Sequence, residues 1–144
     1  MQREILPAVS AIIFNQDREI LMQKRKDTGK WCIISGHVEF GETVEGAIKR
    51  EVFEEINVES EVIRLIGVYS SPDFTTYYYD DRIVQYIVSY FEVRLKREIA
   101  PGFSNSESEE IGYFSLSELP RPMDLINPNW LADALDAKAS PFIR

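Results

Sequence analysis

Residues 36–58, GHVEFGETVEGAIKREVFEEINV, crowd six glutamates into a segment that also carries valine, alanine, isoleucine and phenylalanine. Repulsion among like charges destabilises a compact structure unless water dilutes it or a cation offsets it. The two remedies predict different positions for the carboxylates. A solvated acidic surface turns them away from the apolar residues, whereas a cation site places them on the same side.

The pattern from residue 43 to residue 55 predicts an α-helix that begins at Thr43 or Glu42. Successive helical residues turn by about 100°, so Glu54 and Glu55 flank Glu51 on one arc of the helix. The apolar residues on that arc are Val44, Ala47 and Ile48, and the residues on the opposite side are Glu45, Gly46 and Lys49. The spacing therefore predicts that three carboxylates share the face that packs on the rest of the fold.

Three neighbouring carboxylates that are partly shielded from water cannot all stay ionised unaided. A hard divalent cation takes oxygen ligands, and Mg²⁺ keeps several waters that substrate phosphates can replace. The spacing therefore favours a divalent metal site. The alternative at this point is an ordinary surface helix with glutamates spaced by chance. A structural Ca²⁺ site is a weaker alternative, because the twelve-residue loop of Asp, Asn and Gly ligands is missing.

The composition narrows the class of protein further. A chain of 144 residues predicts one domain, residues 1–144, with a sizeable core. The formal net charge of −8 argues against a nucleic-acid backbone as partner but permits a small phosphorylated ligand held through a metal. Cys32 is the one cysteine, which excludes an intrachain disulfide and fits a reducing cytoplasm. Neither a membrane-spanning apolar run nor a signal-peptide layout is expected.

Hydrophobic patterning predicts an α/β (α+β) chain with a mixed sheet and helices packed on it. Residues 82–95, RIVQYIVSYFEVRL, are β-branched and aromatic on both faces, which predicts a central strand. Asn127 and Pro128 predict the cap and first residue of a final helix that ends near Lys138. The other predicted strands are 5–14 and 19–25, paired as a hairpin, with 31–34, 60–70 and 111–116; loops are predicted over 70–81 and 96–109.

The segment 36–58 resembles the sequence box of the Nudix hydrolases. That box reads Gly, five residues, Glu, seven residues, Arg-Glu, an aliphatic residue, any residue, Glu-Glu, any residue, Gly and an aliphatic residue. The matching positions here are Gly36, Glu42, Arg50, Glu51, Val52, Glu54, Glu55 and Val58. Asn57 replaces the box's last glycine, and asparagine is the next-best residue where a left-handed backbone follows a helix. The later sequence EEIGYFSLSELP also resembles the family.

The resemblance implies a Nudix fold, with a mixed β-sheet sandwiched between α-helices. It also implies Mg²⁺- or Mn²⁺-dependent hydrolysis of the diphosphate linkage in a nucleoside diphosphate joined to another moiety. The segment GVYSSPD, residues 67–73, resembles members that act on ADP-ribose or nucleotide sugars, so such a substrate is favoured. Two alternatives stay open: a nucleoside triphosphate pyrophosphatase, and a domain that binds nucleotides without hydrolysing them.

The resemblance also assigns roles within the box. Glu51 and Glu55 are implied as direct metal ligands, and Glu54 as a ligand or as the base that activates water. The carbonyl of Gly36 is implied to complete the metal shell, because glycine lets a backbone approach closely. Arg50 is implied to orient a box glutamate, and it reaches Glu54 at the i, i+4 spacing. Glu42 is expected to accept hydrogen bonds within the loop–helix turn.

Outside the box, family members often recruit an acidic residue from a later loop. Here the segment SNSESEE offers Glu107 as metal ligand or base, with Glu110 second, and a merely solvated loop as the alternative. Arg25 and its neighbour Lys24 are candidates to reach substrate phosphates, with a plain surface role as the equal alternative. Tyr69 and Tyr78 are candidates to stack on a base, although aromatics in a loop before a central strand more often pack in the core. His37 lies at a variable box position and is expected to have no catalytic role.

Several relatives form homodimers, and the apolar residues Trp130, Leu131 and Leu135 would suit such an interface, or simply the core. The expected partner is a small nucleotide substrate, with no stable nucleic-acid complex and no membrane association.

Overall fold

The computed structural model describes all of residues 1–144, in nine strands and three helices. The strands are β1 (Gln2–Ile13), β2 (Ile20–Arg25), β3 (Trp31–Cys32), β4 (Ile34–His37), β5 (Ser60–Tyr69), β6 (Thr76–Tyr78), β7 (Arg82–Leu95), β8 (Ser108–Phe114) and β9 (Phe142–Ile143). The helices are α1 (Val44–Ile56), α2 (Pro72–Thr75) and α3 (Trp130–Leu135). No helix is both long and apolar enough to cross a lipid bilayer.

The strands form two sheets. The larger one is mixed, with the order β4-β1-β7-β5-β9 and β6 added on β7, and the smaller one has the antiparallel order β3-β2-β8. β7 lies between β1, to which it is parallel, and β5, to which it is antiparallel. The prediction of a central strand over residues 82–95 is therefore confirmed.

The predicted hairpin between β1 and β2 is wrong. The turn exists, because the Asn15 side chain accepts hydrogen bonds from the amides of Asp17 and Glu19 at 3.0 and 2.9 Å. After a single bridge between Phe14 and Ile20, however, β2 leaves the larger sheet and pairs with β3 and β8. The turn residues determine where the chain reverses, but the apolar faces of the other strands determine which sheet receives β2.

The two faces of the larger sheet are covered by different helices. On one face, Val9, Ala11 and Ile13 of β1 pack in a cluster with the buried side of α1. On the other face, Ile12 packs in a cluster with Trp130 and Ala134 of α3. The alternation of β1 residues between the two clusters confirms the expected arrangement of a mixed sheet between helices.

The ends of α1 follow from its sequence. The Thr43 hydroxyl accepts a hydrogen bond from the Gly46 amide at 2.9 Å, which caps the N-terminus. At the other end Asn57 has φ 57° and ψ 38°, the left-handed conformation predicted for it, and its amide donates to the Phe53 carbonyl. Asparagine therefore serves where the family box has glycine.

The final helix is shorter than predicted. The Asn127 side chain accepts a hydrogen bond from the Asn129 amide at 2.9 Å, so residues 127–129 form a turn and α3 begins at Trp130. The helix ends at Leu135, because Asp136 leaves the helical conformation. Trp130 is buried, which accounts for its apolar character by core packing, whereas Leu135 stays exposed.

Three other segments differ from the sequence prediction. The segment 70–81 contains α2 and β6 rather than only a loop, and β9 was not predicted. β8 begins three residues earlier than expected, at Ser108. The pairing of β2 with β8 shifts register between Lys24 and Arg25, so that Arg25 lies opposite Ser108. This β-bulge lies at the end of the strand where the site residues begin.

An ion pair between a buried carboxylate and an exposed arginine ties the residue after β9 to α3. Asp133 is buried, and its carboxylate accepts hydrogen bonds from Arg144 at 2.9 and 2.8 Å. The Tyr69 hydroxyl donates a further hydrogen bond to it. Hydrogen bonding to the Arg144 guanidinium holds the pKa of Asp133 below its ordinary value, against the opposing effect of burial.

We expect Asp133→Asn to lower the free energy of unfolding at pH 7 by about 2 kcal/mol, because charge-assisted hydrogen bonds are lost. A depressed pKa stabilises the fold above the group's ordinary value of 3.8, and that contribution disappears as the pH falls through the folded-state value. Thermal melts from pH 7 to pH 3 should therefore show the wild type approaching the variant in acid. The exposed neighbour Asp136→Asn is the control, and a gap that stays constant with pH would contradict the assignment.

Candidate active site

The Arg50 side chain connects the loop before α1 to the helix itself. Its Nε and Nη2 donate to the Glu42 carboxylate at 2.7 and 2.9 Å, and its Nη2 also donates to the His37 carbonyl at 2.9 Å. Its Nη1 donates to Glu51 at 2.9 Å and lies 3.2 Å from Glu54, the contact expected from the i, i+4 spacing. Glu42 in turn accepts a hydrogen bond from the backbone amide of residue 39 at 2.8 Å. One guanidinium thus fixes three carboxylates and the loop.

Gly36 and Glu51 lie against each other. A Cβ atom at position 36 would overlap the Glu51 carboxylate, so only glycine leaves room for this contact. The Glu51 side chain is 13% exposed. Burial raises the pKa of Glu51 although Arg50 opposes the shift. The box glycine therefore positions a shielded carboxylate beside the β4 backbone.

Glu55 lies one helical turn further along and is half-buried. Burial raises the pKa of Glu55 to about 7, and the nearby charges of Glu107, Glu51 and Glu54 contribute in that order. Arg25 acts in the opposite direction. The raised pKa therefore reflects burial first, and then neighbouring negative charges that Arg25 opposes.

Glu54 is placed differently from its two partners. Its side chain is 56% exposed and contacts Arg50, and it does not line the cavity that the other two share. The expectation that all three glutamates and Val44 face the interior is therefore wrong for Glu54 and for Val44, which is 41% exposed. The buried residues of α1 are Ala47, Ile48, Val52 and Ile56. The buried arc is thus centred toward Val52, and Glu51 and Glu55 lie at its edge.

The loop after β7 brings Glu107 to the box helix through Asn105. The side-chain nitrogen of Asn105 donates to the Glu55 backbone carbonyl at 2.9 Å. The Asn105 side-chain oxygen accepts hydrogen bonds from the amides of Glu107 and Ser108 at 2.9 and 2.7 Å. The Lys26 amide donates to the Glu107 carbonyl at 3.0 Å. Asn105 was not among the expected site residues, although an asparagine two residues before Glu107 is a recognisable Asx-turn signal.

Glu51, Glu55 and Glu107 line one polar cavity of about 420 Å³. Of the other two candidates in the loop, Glu109 pairs with Lys24 at 3.5 Å and Glu110 is exposed on β8, and neither lines the cavity. No three Asp, Glu, His or Cys side chains are close enough together in this structure to hold one metal ion. The carboxylates surround the cavity, and closing on one ion requires side-chain rotation.

A second cavity of about 450 Å³ adjoins the first. The residues common to both linings are Arg25, Asp27, Cys32 and Ser35. Arg25 donates two hydrogen bonds to Asp27 at 2.9 and 2.7 Å, so its guanidinium is oriented at this junction. Burial raises the pKa of the Cys32 thiol to about 11, which keeps it protonated. Arg25 is therefore the positively charged residue that lines both the polar cavity and the mainly apolar one.

The second cavity has a mainly apolar lining that includes several aromatic rings, and it is named the aromatic cavity for them. Tyr77, Tyr79 and Tyr86 line it, with ring centroids of Tyr77 and Tyr86 5.6 Å apart. The hydroxyls of Tyr79 and Tyr86 lie 2.9 Å apart, and His37 Nε2 lies 3.1 Å from the Tyr86 hydroxyl. His37 thus joins the box loop to the wall of this cavity.

The two expected stacking residues have different surroundings. Tyr69 lines the aromatic cavity, but it is buried and its hydroxyl is engaged by Asp133. Tyr78 is 78% exposed and lies outside the cavity lining, whereas its neighbours Tyr77 and Tyr79 are part of it. Successive residues of a strand point to opposite faces. Because Tyr77, Tyr78 and Tyr79 are all tyrosines, the sequence does not indicate which of them point inward.

The charge coupling in the acidic cavity can be measured without substrate. We expect Glu107→Gln to lower the pKa of Glu55 from about 7, because a nearby negative charge is removed. Carbon-13 NMR titration of the glutamate carboxyls in metal-free protein measures this shift. Glu109→Gln, which alters the same loop outside the cavity, should leave the Glu55 titration in place, and equal titrations in all three proteins would contradict the coupling.

Comparison with known proteins agrees with this geometry. The family model of the NUDIX domain matches residues 4–134. An ADP-ribose pyrophosphatase of Methanocaldococcus jannaschii is 36% identical over 119 residues, which are 80% of this chain and 66% of that protein. This chain therefore spans just under two thirds of that relative's length. A MutT-like protein of Streptomyces ambofaciens is 31% identical over 137 residues, covering 95% of this chain and 80% of its own length.

A solved structure gives the same answer for the fold. The crystal structure of an ADP-ribose pyrophosphatase from Streptococcus suis superimposes with a TM-score of 0.70, 26% sequence identity and 96% coverage of each chain. The family model spans most of the sequence, and the box lies at the end of β4 and along α1. Together with these relatives, this shows that the chain belongs to the Nudix hydrolase family.

Proposed function

We propose that this protein hydrolyses the diphosphate linkage of a nucleoside diphosphate joined to another moiety, with Mg²⁺ or Mn²⁺ as cofactor. The observation that carries the proposal is the pair of adjoining cavities. One is lined by Glu51, Glu55 and Glu107, the other is aromatic, and Arg25 lies between them. A diphosphate at the junction would have its charged part beside the carboxylates and an attached ring system in the aromatic cavity.

The residues present fit a hard divalent cation. The candidate donors are all oxygen atoms: the carboxylates of Glu51, Glu55 and Glu107, which line the cavity, and the backbone carbonyl of Gly36, a residue that lies against the Glu51 carboxylate. The pKa of Glu55 is raised by burial and then by the charges of Glu107, Glu51 and Glu54, and a bound cation would favour the ionised carboxylate. Nudix hydrolases generally use divalent metal ions, which supports the same assignment. Glu54 is also a candidate ligand because of its position in the box, although its side chain lies on the exposed side of α1.

The protein's own groups have separable tasks. When bound, the metal supplies charge neutralisation of the diphosphate and a water of lowered pKa. Glu107 and Glu54 are the candidates for the base that takes the proton from this water, and Glu107 is favoured because it lines the cavity. Arg50 holds Glu51 and the box loop in place. Arg25 offers a guanidinium to the phosphate oxygens.

ADP-ribose or a nucleotide sugar is the favoured substrate. The M. jannaschii and S. suis relatives are both described as ADP-ribose pyrophosphatases. The 450 Å³ aromatic cavity also suits an attached group larger than phosphate. A nucleoside triphosphate pyrophosphatase remains the alternative enzyme, and identification of both products separates the two. Homodimer formation and a cytoplasmic location remain predictions.

The activity is tested with a panel of nucleoside diphosphate derivatives and triphosphates, with and without Mg²⁺. We expect metal-dependent release of two phosphate-bearing fragments from a diphosphate derivative. Glu55→Gln and Glu54→Gln should each reduce turnover by about 100-fold or more while thermal melts stay close to the wild type. Binding of nucleotides without turnover of any compound would identify a non-catalytic domain instead.

The loop carboxylates provide a matched pair for the choice of base. Glu107 lines the acidic cavity and Glu109 pairs with Lys24 outside it, so the two substitutions change one charge in the same loop. We expect Glu107→Gln to reduce kcat by about tenfold or more and Glu109→Gln to leave it within about twofold. Small and equal effects of the two substitutions on kcat would indicate that this loop is only a solvated acidic segment.

A further inference from the structure

Helix α1 covers only a part of its face of the larger sheet. The residues of β1 under it are Val9, Ala11 and Ile13, which are buried in one cluster with the helix. Successive strand residues point to opposite faces, so Pro7 and Ile5 lie on the same face as Val9. Both are exposed, Ile5 by 66%. The face therefore continues beyond the helix as an uncovered surface.

The strand register carries this uncovered surface across the sheet. Ile5 of β1 lies opposite Gln85 of β7, which lies opposite Thr76 of β6. Residues in register on neighbouring strands share a face. The other residues that the register places on this face are Arg3, Pro7, Val68, Tyr78, Ile83, Ile87, Ser89 and Ile143. We call this set, with Ile5, Gln85 and Thr76, the open face. None of its residues is buried, and Tyr78 and Ile143 are 78% and 89% exposed.

The open face is mainly apolar and carries almost no charge. Isoleucine, valine, tyrosine and proline supply most of it, and Arg3 is its one charged residue. It has no acidic residue, although the chain contains 24 Asp and Glu residues and has a formal net charge of −8. Contiguous exposed apolar surface of this kind marks an interaction site. A second copy of the chain can approach here without bringing carboxylates together.

Helix α1 gives this side of the molecule the shape of a step. Its apolar stripe runs at four-residue spacing through the buried Ile48 and Val52, and Val44 continues the stripe by one turn but is 41% exposed. The opposite end of the helix lies near the end of β7, where Arg97 donates to the Asn57 carbonyl at 2.6 Å. The first turn of α1 therefore lies at the boundary of the open face.

We propose that the open face is the contact surface of a homodimer, in which a second copy is related by a two-fold axis that runs across the strands. A helix is about 10 Å thick and packed sheets lie about 10 Å apart, so α1 stands as high above its sheet as a second sheet would. With this axis each α1 lies beyond the end of the partner's sheet, and the two steps fit together. An axis along the strands would instead make each helix collide with the other sheet.

The open face is complementary to itself in this arrangement. The two-fold axis places each strand over the same strand of the partner, with its direction reversed. Ile5 then packs on the partner's Pro7, because the two residues lie on either side of the axis. At the other edge, Tyr78 packs on the partner's Val68, which lies on the same line of strands. Apolar side chains thus meet apolar side chains at both edges.

The size and the charge of the surface also fit a second copy. Strand spacing and rise make the open face about 15 Å by 20 Å. A standard interface buries about 800 Å² on each partner, which the open face supplies as an apolar centre and the first turn of α1 extends as a polar rim. Arg3 approaches that turn of the partner, where Glu45 is exposed.

This interface is independent of the proposed hydrolysis. The open face is on the α1 side of the sheet, whereas Tyr77, the neighbour of Tyr78, lines the aromatic cavity on the other side. The apolar residues of α3 that would suit a dimer from their composition also pack on that other side. The expected homodimer is therefore assigned to a different surface from the one that Leu131 and Leu135 would form.

Sedimentation equilibrium of the purified protein tests the interface. We expect a mass of twice the 16.7 kDa of one chain at a protein concentration of about 10 µM. Ile5→Glu and Tyr78→Glu each place a carboxylate in the apolar centre and should raise the dimer dissociation constant by about tenfold or more. Both side chains are exposed in a single copy, so the circular dichroism spectra of the variants should match the wild type.

Leu135→Glu is the matched control. It makes the same kind of change at a leucine of α3 that is 48% exposed, and it should leave the dissociation constant within about twofold of the wild type. The interface is overturned by a wild-type protein that stays monomeric at about 100 µM. It is also overturned by a dimer that persists unchanged in both open-face variants, or by one that dissociates in Leu135→Glu alone.

Discussion

The site depends on one guanidinium held among three carboxylates. Glu42, Glu51 and Glu54 would repel one another if they met without a cation, and Arg50 binds all three while also holding the His37 carbonyl. The planar fork of arginine can satisfy several acceptors in fixed directions, which a lysine ammonium cannot do. The loop conformation, the contact of Gly36 with Glu51 and the wall formed by His37 all follow from this arrangement.

The arrangement leaves a second group of carboxylates without such a partner. Glu55 and Glu107 face a polar cavity in a protein whose formal net charge is −8, so an unaccompanied phosphate is repelled there. The divalent cation of the proposed reaction would offset this repulsion for an anionic substrate. The aromatic cavity beside it is mainly apolar. Arg25 lines both cavities, and it is therefore the residue proposed to hold a diphosphate that spans them.

Much of this could be predicted from the sequence because the responsible interactions are local. Helix α1, its Thr43 cap, the left-handed Asn57 and the contact of Arg50 with Glu54 depend on residues within about one turn of each other. The central position of β7 followed from apolar residues on both of its faces. These features needed no knowledge of distant segments.

The remaining features depend on contacts between distant segments. The exposure of Glu54 depends on where the sheet presses on α1, and the inward face of the tyrosine run depends on how β6 pairs with β7. The transfer of β2 to a second sheet and the role of Asn105 at the end of α1 likewise join residues far apart in sequence. Residue spacing gives relative directions around a helix or strand, but the direction of the core comes from the rest of the fold.

The register shift opposite Lys24 and Arg25, where β8 carries the extra residue Glu109, shows how strand length affects such a site. Side chains of a regular strand alternate between its faces, so a single inserted or deleted residue exchanges the two faces for everything that follows. In β2 this parity decides which of two adjacent basic residues points at the junction and which pairs with Glu109 on the far side. A one-residue change in the length of this strand would therefore replace a forked cation by a point charge, with the rest of the chain untouched.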